Sequence, residues 1–133
     1  MKKRLILANI LMFSFAFISG ALASGHNADI KIGIILGFTG PIESLTPDMA
    51  ASAELALKEA SDSGLLLGGR KAVGVRADST CIDAGAATTA AERLVTSDKV
   101  AAIMGADCSG VTTAIANNVA IPNGVPIMSP SAT

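Results

Sequence analysis

An α/β fold, a parallel sheet with helices on both faces, is what this sequence predicts, and two observations carry the prediction. Four apolar, β-branched runs alternate with three segments whose apolar residues recur at helical spacing. Parallel neighbours need crossover connections of helix length, whereas hairpins need only a few residues. Residues that cap or stop helices also fall where that alternation requires them. With right-handed connections, the helices lie on both faces of the sheet.

The elements can be justified in order. Asp29 to Gly37, "DIKIGIILG", is a β-branched run ending at glycine and reads as a buried strand more than a half-exposed one. Thr46-Pro47-Asp48 supplies an expected N-cap threonine, a proline at the first helical position and an acid in the first turn. Met49, Ala53, Ala56, Leu57 and Ala60 then follow one helical face, and Glu54 and Lys58 are spaced to pair on the outer one. Gly64 stops this helix. "GGRK" makes a turn, and Ala72 to Asp78 is the second strand. Asp83 opens an alanine-rich helix running through Ala87, Ala90, Ala91, Leu94 and Val95. Val100 to Gly105 is the third strand, Ser109 to Ala120 the third helix, and "VPIMS", Val125 to Ser129, the fourth strand.

The N-terminus says where the protein works. Met1-Lys2-Lys3-Arg4 is a positive n-region, Leu5 to Ile18 is apolar apart from Asn9 and Ser14, and Ala21-Leu22-Ala23 is a small-x-small cleavage pattern. The apolar run falls short of the ~20 residues of a spanning helix. Residues 1–23 are therefore expected to be a signal peptide, and residues 24–133 an exported, soluble domain in the periplasm. No cysteine follows the cleavage region to carry a lipid anchor. Loss of Lys2, Lys3 and Arg4 leaves seven basic residues against eleven acidic ones, a net charge of about −4. That balance offers no basic patch to nucleic acid or anionic lipid. Phe38 becomes the sole aromatic residue, so stacking on bases or sugars has no partner in this chain.

In an open parallel sheet the ligand sits outside the carboxyl ends of the strands. Four stretches should share that edge: Gly37 to Pro41, Asp78 to Cys81, Asp107 to Ser109, and Ser129 to Thr133. Enzyme motifs do not fit there. The dinucleotide spacing GxGxxG falls on Ile35, Gly37 and Gly40, so its first glycine is missing. Gly64 and Gly69 have phosphate-loop spacing but are followed by Arg70 and Lys71, and the stretch follows a helix. No GxSxG occurs, and the one histidine, His26, lies just past the cleavage site. A serine triad lacks its base and a zinc site its ligands. No catalytic residue, metal or cofactor is expected.

Cys81 follows the second strand and Cys108 the third, so both fall on the same edge. They are two separate buried thiols or one bridge, and an oxidising compartment favours the bridge. Ser109, at the start of the third helix, is an N-cap or part of a carboxylate site made with free helix amides. Ser129, Ser131 and Thr133 are turn formers or a second hydroxyl cluster converging on the same place.

The run of "IKIGIILGFTGP", "GGRKAVGVRAD", "TCID", "AAERLV", "VAAIMGADCSG" and "GVPIMSPSAT" resembles the N-terminal part of the periplasmic leucine/isoleucine/valine-binding proteins, the substrate-binding subunits of ABC importers. The resemblance runs from Asp29 to Thr133. It implies a partial N-terminal lobe of a type I periplasmic binding protein. By resemblance, Cys81 and Cys108 match the family's disulfide, and Ser109 the serine whose amide and hydroxyl hold the ligand's α-carboxylate. Ser131 matches a residue whose carbonyl accepts from the α-ammonium, and Thr133 a threonine that contacts both groups. The family's amino-acid binders often place an aromatic residue between Pro41 and Asp48, where this sequence has Ile42, Glu43, Ser44, Leu45, Thr46 and Pro47. Relatives of the fold also bind amides, urea and aromatic acids.

The function implied is non-enzymatic: binding an amino acid or similar small carboxylate and delivering it to an ABC permease in the inner membrane. The alternative is a ligand-sensing domain of the same fold serving a regulator or receptor. On either view this chain is expected to supply one wall of a site, with the second lobe absent from it. Its fourth strand should leave an open apolar edge at Val125 to Met128, making the isolated chain marginally stable and prone to associate.

Overall fold

A computed structural model describes residues 28–133 apart from Leu67; the expected signal peptide lies outside the described residues. The chain runs β1 (Ile30–Leu36), α1 (Thr46–Asp62), β2 (Ala72–Asp78), α2 (Ala84–Thr96), β3 (Ala102–Gly105), α3 (Ser109–Ile115) and β4 (Ile127–Met128). The strands form one sheet in the order β2-β1-β3-β4 with every pairing parallel. In register, Leu36 faces Asp78, Ile35 faces Gly105, and Met104 faces Met128.

Strand β1 is central, and from Gly33 to Leu36 it is buried, with core contacts on both faces. Ile35 joins Ala77, Ile103 and residues of α2 and α3, among them Ala91, Leu94, Val111 and Ile115, on one face. Ile34 and Leu36 pack under Ala50 of α1 on the other, with Phe38, Leu57 and Met104 against them. Helix α2 is alanine-rich because it lies close on the sheet: a Cβ on Gly33 would come within 2.9 Å of a Leu94 methyl. The Asp83 side chain caps α2 by accepting from the Ala86 amide, as the sequence led one to expect.

Four local expectations are corrected. Thr46 is the first residue of α1, with Leu45 at the cap position and no side-chain cap. The Thr46 hydroxyl is buried and donates to the Gly37 carbonyl at 3.1 Å, because that strand-end carbonyl has no ladder partner and an unmet buried acceptor is costly. Glu54 does not pair with Lys58. It takes a two-pronged contact from Arg76 of β2, at 2.6 and 2.8 Å, while Lys58 pairs with Asp62. A planar guanidinium meets both carboxylate oxygens, which a lysine one helical turn away cannot do. The third helix is α-helical only to Ile115; Ala116–Ala120 widens into a π-helical turn. The last two strands are also shorter than expected. Val100 and Ala101 donate to Leu94 and Lys31 before the β3 ladder begins, and Pro126 contributes only its carbonyl, to the Ile103 amide.

Among the described residues β4 pairs with β3, and Met128 is 78% exposed.

Candidate functional site

The strand order places a switch point between β1 and β3. The chain leaves β1 towards α1 on one face and leaves β3 towards α3 on the other. Loops that diverge to opposite faces leave a crevice at the strand ends, the usual ligand position in open α/β sheets. The four stretches singled out in the sequence meet there.

The β1 loop is held against the β2 loop. Thr39 donates its hydroxyl to Asp78 at 2.6 Å and its amide to the same carboxylate at 3.3 Å, and the Thr80 amide donates to it at 2.8 Å. Partial burial pushes the Asp78 carboxyl up, but the Thr39 hydroxyl and the Thr80, Thr39 and Phe38 amides outweigh it and hold it below the usual carboxylate range. Gly40 has φ +97°, and a Cβ there would lie 2.5 Å from the Thr80 carbonyl oxygen. Only glycine fits this approach. Phe38 sits inside the same turn, with the Arg76 guanidinium 5.5 Å from its ring centroid.

Cys81 and Cys108 are joined, with their α-carbons 5.2 Å apart. The bridge fastens the β2 loop to the residue immediately before α3. Thr80 and Cys81 have φ of 57° and 70°, left-handed values that cost a side-chain-bearing residue about 1–2 kcal/mol each. The Asp78 contact and the bridge hold them there.

Ser109 does not cap its helix. Cys108 occupies the cap position and makes no side-chain cap, in contrast to Asp83 on α2. The Ser109 hydroxyl oxygen accepts instead from the Thr133 amide at 3.0 Å. The structure therefore brings Ser109 and Thr133 into direct contact, although 24 residues separate them. Ser131 is drawn in beside them, its hydroxyl donating to the Asp107 carbonyl at 2.8 Å. The Ser129 hydroxyl donates to the Ala106 carbonyl and accepts from the amides of Ser131 and Ala132. Ser109, Ser131 and Thr133 are all exposed. The arrangement can offer hydroxyl groups and an uncapped helix start to an anion, and carbonyls to a donor.

Asp107 falls in a stretch that the sequence places at the ligand edge, but no role is read for it there. It is 6% exposed, and its carboxylate accepts from the Gly37 amide at 2.8 Å and the Ser79 hydroxyl at 3.3 Å. A signal was present: β2 and β3 lead into "AD" at residues 77–78 and 106–107, placing a carboxylate after an apolar strand.

A parallel sheet with a switch point between central strands, and polar groups gathered at its carboxyl edge, defines a ligand-binding α/β domain. The chain belongs to the periplasmic binding protein family, whose model matches residues 29–133. Leu/Ile/Val-binding protein homolog 7 of Brucella suis is 35% identical over 126 residues, covering 95% of this chain and 29% of that protein. The homologue from Brucella melitensis is 34% identical over 110 residues, 83% of this chain and 25% of the relative. Among solved structures, the branched-chain amino acid transporter substrate binding protein LivJ from Streptococcus pneumoniae, in complex with isoleucine, superimposes with a TM-score of 0.71 at 33% identity. That match covers 80% of this chain and 30% of the other. A solute binding protein of an ABC transporter from Rhodopseudomonas palustris, in complex with 3,4-dihydroxybenzoic acid, gives 0.67 at 25% identity, covering 78% and 27%. The chain thus spans under a third of the length of the relatives it matches.

Proposed function

We propose that these residues form one wall of the ligand site in an exported solute-binding protein that serves an ABC importer for branched-chain or related amino acids. The observation that carries the proposal is the Ser109–Thr133 contact beside the uncapped start of α3, at the switch point of the sheet. On this reading the Ser109 amide and hydroxyl hold the α-carboxylate, the Ser131 carbonyl takes the α-ammonium, and Thr133 touches both. The protein binds and releases; it does not catalyse. The rest of the relatives' length is the source of a second lobe, which closes over the ligand by a hinge. A permease in the inner membrane receives the ligand.

One wall alone buries too little of a small ligand to bind it tightly. Titrating residues 24–133 with L-isoleucine should give millimolar binding, about −4 kcal/mol, seen by NMR as shifts of the Ser109 and Thr133 amides. Ser109→Ala and Thr133→Ala should each weaken the response by about 1.5–3 kcal/mol, the worth of a charge-assisted hydrogen bond. Shifts scattered over other surfaces, or unchanged in both variants, would remove these residues from the site.

The second reading is an aromatic-acid ligand, or a sensing role for the same fold, and the dihydroxybenzoate-bound neighbour favours it. Shifts at the same amides with 3,4-dihydroxybenzoate and none with isoleucine would select it.

We also propose that residues 1–23 are an export signal, cleaved after Ala23 or Ser24. N-terminal sequencing of periplasmic material should begin there. Membrane-held protein starting near Met1 would overturn the assignment.

A further inference from the structure

We propose that Asp107 is the positioning residue of the ligand edge: its carboxylate ties the split between β1 and β3 together and so sets where Ser109, Ser131 and Thr133 stand. The inference rests on the amino-acid-site reading above, since those three residues are the site it positions.

Asp107 reaches every other loop of the edge. Its carboxylate accepts from the Gly37 amide at the end of β1 and from the Ser79 hydroxyl after β2. Its own carbonyl accepts from the Ser131 hydroxyl after β4. The next residue is bridged to Cys81, and the one after is Ser109. The Gly37 contact joins residues 70 apart in sequence, from the two loops that turn towards opposite faces. The Asp78 carboxylate also joins the β1 and β2 loops, through Thr39 and Thr80, but it stands at the end of β2; Asp107 adds the contact from the β3 side. The neighbouring Ala106 belongs to the apolar core beneath α2 and α3, while Asp107, 6% exposed, carries a carboxylate at that boundary. Its carboxylate oxygens both serve polar contacts between loops.

The mechanism is geometric. A buried acceptor shared by two donors fixes the β3–α3 turn relative to β1 and β2. Removing it frees the turn to move about the disulfide. Displacements of about 1 Å are enough to cost a binding or reacting group most of its effect. Asp107→Ala removes both contacts. Asp107→Asn keeps them, because the amide oxygen accepts from Gly37 and the amide NH₂ donates to Ser79.

The test uses the exported chain, residues 24–133, with the bridge intact, and two NMR readouts. The first is the backbone order of Ser131 and Thr133 from ¹⁵N relaxation, which needs no ligand. The second is the response of the Ser109 amide to L-isoleucine. In the native chain Thr133 should be as ordered as the sheet. Asp107→Ala should drop Ser131 and Thr133 to the order of a frayed end and weaken the isoleucine response roughly tenfold or more. The amides of Ile34, Ile35 and Ile103 should keep their native shifts, and Asp107→Asn should restore both readouts. If Asp107→Ala does not fold, Ser79→Ala decides: it removes one of the two contacts and should give a partial loss of order at Thr133. Native order at Thr133 in Asp107→Ala, or in Ser79→Ala if that is the variant in use, would overturn the proposal, as would Asp107→Asn behaving like the alanine variant. A native chain with ordered Thr133 and no response to isoleucine would count against the amino-acid site alone, and the order measurement would still judge Asp107.

Discussion

Reducing the Cys81–Cys108 bridge should lower the stability of the domain by about 3–4 kcal/mol, because the bridge closes a loop of 27 residues whose freedom returns to the unfolded chain. For a small domain that is a large share of the total, typically ~5–15 kcal/mol. The effect reaches the site as well. Thr80 and Cys81 hold left-handed backbone that side chains disfavour, so the β2 loop should relax once Cys81 is released. Cys108 then no longer holds the start of α3, and the Ser109–Thr133 contact loosens with it. Urea unfolding with and without reductant reads the first effect, and the Cys81→Ser/Cys108→Ser pair controls for the reductant. With a slope of about 1–3 kcal/mol per molar urea, the midpoint should fall by a molar or more. Equal midpoints would mean that the bridge adds nothing beyond what the loops already hold.

A second large effect is expected at Gly105. Its φ is +131°, and a Cβ there would lie 1.9 Å from the Ile35 carbonyl oxygen and 2.8 Å from an Ile35 methyl. Ile35 is its ladder partner and is fully buried, so neither side can yield without parting β1 from β3. Backbone strain and overpacking each cost about 1–3 kcal/mol or more. Gly105→Ala should therefore leave the chain largely unfolded by circular dichroism. Gly110→Ala is the control. A Cβ on Gly110 meets nothing within 4 Å, and alanine in a helix is preferred over glycine by about 0.5–1 kcal/mol. The control should match or exceed the native melting temperature. A Gly105→Ala protein that melts like the native one would mean that the β1–β3 seam is looser than its geometry indicates.

The two predictions concern different parts of the molecule that meet at one edge. The β1–β3 seam fixes the crevice, and the bridge fixes the helix start beside it. Asp107 lies at their junction, two residues beyond Gly105 and one before Cys108. Disturbing any of the three should be felt at Ser109.

What the sequence determined by itself was local. Runs such as Ile32 to Leu36 and the spacing of Ala87, Ala91 and Leu94 set strand and helix, because backbone geometry imposes those periods on neighbours in sequence. Asp83 declared its cap, and Gly64 its helix end, for the same reason. The alternation was enough for a parallel sheet, and the carboxyl-edge rule then named the loops of the candidate site before any contact was visible. The common edge and an oxidising compartment favoured a bridge between Cys81 and Cys108, and resemblance supplied the roles expected of Ser109, Ser131 and Thr133.

Tertiary structure decided what depends on distant groups competing for one another. Periodicity does not say that β1 lies between β2 and β3, and so could not locate the switch point. Glu54 had a lysine at the right helical spacing and took an arginine from another element, because a planar two-pronged contact is stronger than a single one. Thr46 had the identity of a cap and served a buried carbonyl at the end of β1, because an unmet acceptor there costs more than an uncapped helix start facing water. Ser109 likewise gave its oxygen to Thr133. The contacts of Asp107 were invisible for the plainest reason: its partners are Gly37 and Ser79, and no local rule links residues 70 or 28 positions apart. Only the folded sheet brings their donors within reach of one carboxylate.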